Sequence, residues 1–246
     1  MLPFLLKGCI ALMLALAASQ GYAQILANSP LPAGKESFKI QGNKITRLNG
    51  QVFVPIGFNS VHIWLDEAAS LKGLQQEISK TGANAVRLVT AGEAWHWNKQ
   101  SATPAQKRQL VQHAVAAKLT PIIELHDGTC VNEYDRIPAD GKMGLKQIVD
   151  HWLLPENVAM LKTYEQNVWL NIANEWGPAN NIAWADGYKQ AIKRLRNAGI
   201  RTMLVVDSGG CGQDPHNLLK WGREVAASDP LKKTILSIHL YGLWTS

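Results

Sequence analysis

The chain has 246 residues, with 25 Lys and Arg against 19 Asp and Glu, for a net charge of +6. That is one large domain's worth of polypeptide. Its mild, scattered positive excess points to no nucleic-acid partner: the densest basic run, Lys193-Arg194-Leu195-Arg196, sits in a helical pattern and reads as a solvated face. Beyond the N-terminus no apolar run approaches the length needed to cross a bilayer, so no membrane partner is expected either.

Residues 1–23 read as a secretory signal peptide. Lys7 supplies the positive start, Ile10 to Ala18 a short apolar core, and Gly21-Tyr22-Ala23 a small-x-small cleavage site before Gln24. Cleavage near Ala23 leaves a secreted or periplasmic domain over 24–246. Phe38-Lys39-Ile40, the turn Gln41-Gly42-Asn43 and Lys44 to Leu48 then form a hairpin. After Asn49-Gly50 the pattern changes to short apolar strands alternating with amphipathic helices, the mark of parallel βαβ units.

Strands are expected at Val52–Asn59, Asn84–Val89, Pro121–Asp127, Val168–Glu175, Thr202–Ser208 and Ile235–Tyr241. Thr103-Pro104 opens a helix that runs through Lys118, with Pro placed where it costs no hydrogen bond. Gly128 to Gly141 is rich in turn residues and reads as a loop, followed by helical patterns at 142–152 and 155–166. Trp184, Tyr188, Ile192 and Leu195 share a face of another helix, which Gly199 ends. Asp214-Pro215 opens a further one, to about Ala227.

An open doubly wound sheet and a closed eight-stranded barrel both fit such alternation. The open sheet usually carries a Gly-rich phosphate turn after its first strand, and Gly57-Phe58-Asn59-Ser60 is not one. In a barrel, functional groups gather at the C-terminal strand ends. Here those ends carry Asn59, Arg87, His126-Asp127, Asn174-Glu175, Asp207 and His239 with Tyr241. The barrel is the better reading, with about six βα units and the N-terminal hairpin.

Glu175 ends an apolar strand beside Asn174 and Trp176. A carboxyl group next to an indole in a dry cleft has its charged form disfavoured, which is what a general acid needs near neutral pH. Arg87 lies among apolar neighbours and needs a buried acidic partner, with Glu124 and Asp207 the candidates. Metal catalysis is not expected, because His126-Asp127, His62 and His239 lack the close spacing of a ligand set. No Gly-x-Ser-x-Gly elbow occurs, and no cofactor is implied.

Three cysteines are present, and Cys9 leaves with the signal. Cys130 and Cys211 both follow expected strand ends and could meet above the same rim as a disulfide, a pairing that spacing alone cannot establish. Of nine tryptophans, Trp64, Trp95, Trp97, Trp176 and Trp244 fall at or just past strand ends, where flat apolar rings would face a saccharide. Trp152, Trp184 and Trp221 sit in helical segments and read as core.

The motifs Gly57-Phe58-Asn59 with His62-Ile63-Trp64, Gly82 to Leu88, Glu124-Leu125-His126-Asp127, Asn171 to Trp176 and Ser237 to Tyr241, in that order, resemble family 5 glycoside hydrolases. These are retaining enzymes on (β/α)8 barrels. Leu195 to Ile200 and Val206-Asp207 are most similar to bacterial endo-β-1,4-mannanases, with cellulases as near relatives. The resemblance implies an α/β fold of the TIM-barrel type acting on mannan, or otherwise cellulose, as a monomer when complete. It implies Glu175 as proton donor and later base, and Asn174 as a ligand of the sugar hydroxyl. It places Arg87, His126, His239 and Tyr241 around the cleaved bond. The family's nucleophile, a glutamate ending the seventh strand, has no match here. The expectation is a chain truncated before that strand, inactive or nearly so by itself, with exposed apolar sheet edges. A carbohydrate-binding protein without catalysis is the alternative from another class.

Overall fold

The computed structural model describes residues 38–63, 72–92 and 103–244. The signal segment, Trp64, Trp95 and Trp97 lie outside the described residues. Two strands, β1 (Phe38–Gln41) and β2 (Lys44–Arg47), pair antiparallel as the hairpin read from the sequence. Six more follow: β3 (Gly57–Val61), β4 (Ala85–Thr90), β5 (Thr120–Leu125), β6 (Trp169–Asn171), β7 (Met203–Asp207) and β8 (Thr234–Ser237). They form one parallel sheet in the order β3-β4-β5-β6-β7-β8. Strictly sequential neighbours are barrel order, whereas a doubly wound sheet reverses direction at a switch point.

Helices α1 (Pro104–Ala116), α2 (Leu145–Trp152), α3 (Pro155–Thr163) and α4 (Ile182–Asn197) follow the expected spans within a few residues. The last helical stretch is continuous from Pro215–Asn217 through a wider turn at Leu218–Gly222 to Arg223–Ala227. The start of α1 shows why. Thr103 Oγ1 accepts from Gln106 N–H at 3.2 Å and Gln106 Oε1 accepts from Thr103 N–H at 3.2 Å, a reciprocal cap ahead of Pro104. Thr103→Ala is expected to cost about 1 kcal/mol in a urea titration, and Thr103→Ser to cost little.

Several strand boundaries differ from expectation: β8 ends at Ser237 rather than Tyr241, β5 gives way at His126 to a short helical turn, and two further departures lie at the start of β3 and the end of β6. Val52 to Ile56 does not join the parallel sheet. Val52 bridges Thr46 instead, and Phe53 N–H bonds to Ile45 O at 2.8 Å, so the segment extends the hairpin until Pro55, which has no N–H to give. β6 is shorter than its apolar run. Past Asn171 the backbone peels away, with Ile172 N–H on Val205 O at 3.0 Å and Asn174 N–H on Leu125 O at 3.1 Å.

The hairpin plugs the N-terminal end of the sheet. Phe38, Phe53, Trp169, Met203 and Val205 form a buried cluster, with ring centroids 4.8 Å (Phe38–Phe53) and 5.1 Å (Phe38–Trp169) apart. Arg47 covers Phe53 at 4.6 Å. On the outer side, helix indoles anchor the ends of β6 and β7: Trp152 Nε1 donates to Ile172 O at 2.8 Å and Trp184 Nε1 to Asp207 O at 2.9 Å.

β3 and β8 are the sheet's edges. On the approach to and along β3, Val54, Ile56 and Phe58 are 60%, 62% and 52% exposed. An unpaired apolar edge of this kind is unusual in a free soluble domain. Anilinonaphthalene sulfonate fluorescence is therefore expected to rise several-fold on adding the folded chain. The rise should fall away in Ile56→Ser/Phe58→Ser, and an equal response of both chains would count against this edge as the dye site.

Candidate active site

The strand ends expected to carry function converge on one ionic cluster. Arg87, in the middle of β4, points across the sheet rather than into helix packing. Its Nε and Nη2 donate to Asn171 Oδ1 at 3.1 and 2.8 Å, and Nη2 also donates to Asn174 Oδ1 at 2.7 Å. Asp207 lies 3.6 Å from Nη2 and Glu124 3.9 Å from Nη1, so both acidic partners proposed from the sequence are in place.

Glu175 sits at the turn where the chain leaves β6, with φ of +52°. A left-handed backbone costs an L-residue roughly 1–2 kcal/mol, and here Asp207 Oδ2 holds it by accepting Glu175 N–H at 3.1 Å. Glu175 as a whole is 6% exposed. Its Oε1 takes two donors, His239 Nδ1 at 2.7 Å and the Tyr241 hydroxyl. Its Oε2 faces Cys130 Sγ at 4.0 Å. Cys130 and Cys211 are bridged as a disulfide, with Cα atoms 4.5 Å apart.

His239 is the hinge of the charge arrangement. Its Nε2 lies 3.3 Å from Asp207 Oδ2 while Nδ1 meets Glu175, so one ring spans two carboxylates. Burial alone would push its pKa down, but the hydrogen bonds to Asp207 and Glu175 prevail and raise it to about 9. The imidazolium is the resident form at neutral pH. Asp207 is fully buried, which would raise its pKa, yet the His239 hydrogen bond and the Arg87 charge hold it below the usual carboxylate range. Burial first, then the bond to Glu175, raises the Tyr241 hydroxyl, which stays a proton donor.

His126 stands further out. Its Nδ1 is 3.3 Å from Glu124 Oε1, and that carboxylate in turn lies 3.9 Å from Arg87 Nη1. Asn174 is buried with both ends engaged, Oδ1 by Arg87 and Nδ2 by Thr129 Oγ1 at 2.8 Å. Trp244 is half-exposed on the turn Gly242–Trp244, and no described ring stacks on it.

Trp176 corrects the sequence reading. It was expected to face a sugar, but it is 1% exposed and packs edge-on against Tyr188 at 5.4 Å, with Nε1 donating to Glu133 O at 3.0 Å. The left-handed turn at Glu175 is the cause: it sends the carboxylate inward and swings the next side chain out into the helix layer. Gly187 makes room there, since a Cβ on it would meet the indole at 2.4 Å.

The structure also adds residues. Asn171, a lone amide inside the apolar run of β6, joins Arg87 to Asp207, donating to Asp207 Oδ1 at 3.1 Å. A polar residue inside the apolar run, shortly before Asn174-Glu175, was the available signal. Gly212, φ +77°, lies so close that a Cβ would stand 2.9 Å from Glu175 Cγ and 2.9 Å from His239 Nδ1. Nothing in the sequence marks it out from its neighbours Gly209 and Gly210.

Comparison with known proteins gives this cluster a context. A mannan endo-1,4-beta-mannosidase of Salipaludibacillus agaradhaerens is 36% identical over 205 residues, 83% of this chain and 62% of the relative. One from Streptomyces lividans is 33% identical over 83% of this chain and 51% of its own length. The beta-mannanase of Thermomonospora fusca, solved with mannohexaose, superposes with a TM-score of 0.73 at 31% identity, covering 85% of this chain and 68% of that one. The chain thus spans between half and two thirds of the length of these curated relatives. Residues 43–246 match the family described as Cellulase (glycosyl hydrolase family 5). That match takes in every strand end on which the ionic cluster is built, and the chain belongs to glycosyl hydrolase family 5.

Proposed function

We propose that these residues are the proton-donor half of an endo-acting β-1,4-mannanase that works with retention of configuration. The observation that carries the reading is Glu175. It is a carboxyl group at the end of the fourth barrel-ordered strand, nearly buried, with Oε1 already saturated by His239 and Tyr241. Two donors on one oxygen leave Oε2 as the oxygen that carries and releases a proton. Glu175 protonates the leaving glycosidic oxygen and later takes a proton from the attacking water, the double role of the acid/base residue in retaining enzymes. The imidazolium at His239 offsets the negative charge that Glu175 acquires on giving up its proton. Arg87, through Asn171 and Asn174, fixes the amide that flanks the acid.

Retaining enzymes place a second carboxylate about 5–5.5 Å from the first as nucleophile. Asp207 does not fit that role, being fully buried and committed to Arg87, His239, Asn171 and the Glu175 backbone. With Asp207 committed in this way and no other described carboxylate assigned to the role, slow turnover or none is the expectation for the 246 residues alone. The Cys130–Cys211 bridge supports export, since such bonds persist in oxidising compartments.

The test pairs binding with hydrolysis. Calorimetric titration with mannohexaose should give a saturable signal. Any release of reducing ends should favour galactomannan over carboxymethyl cellulose and xylan, and should vanish in Glu175→Gln. Preference for the glucan would make the protein a cellulase. Binding without turnover is what the proton-donor half alone should show, whereas turnover undiminished in Glu175→Gln would sink the catalytic reading.

A further inference from the structure

The segment from Gly209 to Asp214 crosses directly over the acid, and one covalent bond ties it to the opposite loop. Cys211 O accepts from the Tyr241 hydroxyl at 3.3 Å, and Gly212 O accepts from His239 N–H at 2.9 Å. Gly212 packs against Glu175 Cγ and the His239 ring with no room for a side chain. Gly210 N–H bonds to Gly177 O at 2.8 Å, fastening the near side of the loop to the turn that follows Glu175. The far side is fastened by the Cys130–Cys211 bridge, which reaches back to the loop after β5. Both cysteines hold left-handed backbones, φ +56° and +54°, conformations that persist where surrounding structure enforces them.

Resting on Glu175 as the proton donor, we propose that the Cys130–Cys211 disulfide is a positioning element for that acid: it clamps the 209–214 loop so that His239 and Tyr241 keep both donors on Oε1, and its sulfur forms the apolar wall against which Oε2 works. Oε2 meets no hydrogen-bond donor at that wall, because a disulfide sulfur carries no proton. Reduction changes both features at once. A dithiol delivers two electrons and two protons, the S–S bond becomes two thiols, and the dithiol closes to its own cyclic disulfide. The loop loses its far anchor, and a thiol donor now stands beside the oxygen that must hold the acidic proton.

His239 reports on this without any need for turnover. The charged and titratable groups that face it are Glu175 from the end of β6, Asp207 from β7, Arg87 from β4 and Tyr241 from its own segment. The experiment follows the His239 ring proton by NMR across pH 6–10 in the full chain: oxidised, reduced with dithiothreitol, reoxidised, and as Cys130→Ser/Cys211→Ser. Near-ultraviolet circular dichroism monitors packing throughout.

With the bridge intact His239 should titrate near pH 9. With the bridge open, its grip on Glu175 loosened and only Asp207 left, the midpoint should fall by about one pH unit or more, the low end of an opposite-charge effect, and return on reoxidation. An unchanged midpoint in the reduced chain and in the double variant overturns the proposal. Loss of packing in both also overturns it, making the bridge a stabiliser of the fold. Mannohexaose titrations run alongside separate the two readings. A bridged chain that ignores mannohexaose defeats the carbohydrate function, while the His239 comparison still decides the role of the bridge.

Discussion

Asp207→Ala is expected to lower the unfolding free energy by about 3–5 kcal/mol, the usual cost of removing one partner from a buried ion pair. Asp207 is fully buried and serves four groups: Asn171 Nδ2 at 3.1 Å, Glu175 N–H at 3.1 Å, His239 Nε2 at 3.3 Å and Arg87 Nη2 at 3.6 Å. Its removal leaves the guanidinium and the imidazolium facing each other over Glu124 and Glu175. It also frees the left-handed turn at Glu175, which no other described hydrogen bond to its N–H restrains. Asp207→Asn should cost less, because the amide oxygen can still accept from Glu175 N–H. Urea titrations at pH 6.5 followed by far-ultraviolet dichroism give both numbers. A loss below about 1 kcal/mol for the alanine variant would mean that water already screens the cluster, as at an exposed pair.

The same cluster shows what a sequence yields and what it withholds. The strand ends were legible because the apolar runs leading to them are short and each ends on a polar group. That rule gave Asn174-Glu175, Asp207, His239 and Tyr241 for one rim, along with His126, which stands further out, and Arg87, which lies in mid-strand. Direction was not legible. Trp176 follows Glu175 directly, and alternation along an extended strand would send the two to opposite faces anyway; what the sequence could not supply was the left-handed turn that decides which face is the cleft. Nor could it apportion contacts. Arg87 was expected to need an acid, yet its shortest bonds go to two amides. Val52 to Ile56 was read as barrel strand on its apolar content, and a single proline together with the hairpin's open edge took it elsewhere. Disulfide pairing fell between these cases. The shared rim made Cys130–Cys211 conceivable, and only the fold brings their Cα atoms to 4.5 Å.

Stability is expected to peak near pH 6.5 and to fall by about 3 kcal/mol on going to pH 9. His239 sets the alkaline limb. Its folded pKa of about 9 lies above the value near 6.5 of an unfolded histidine. A raised histidine contributes stability that is fully present below 6.5 and is lost as pH climbs through 9. A difference of about 2.5 pH units corresponds to about 3 kcal/mol. The acid limb has other owners. Burial lowers His62 to about 4, and burial with the Lys107 charge lowers His151 to about 3. The unfolded chain therefore takes up protons first below 6.5, and stability drops until those values are passed. Asp127, raised to about 6 by burial against the pull of the Gly92 N–H, works the other way below pH 6 and shallows that limb. The unfolded His62 and His151 and the folded Asp127 still shed protons just above 6.5, with a small net gain in stability that partly offsets His239, and from about pH 8 upward the limb belongs to His239 among these four groups. Urea midpoints at the two pH values should separate widely for the parent chain and nearly coincide for His239→Gln. If the variant kept the parent's slope, the proton that bridges Glu175 and Asp207 would not be on His239. The charge balance that holds the acid would then have to be assigned to another group.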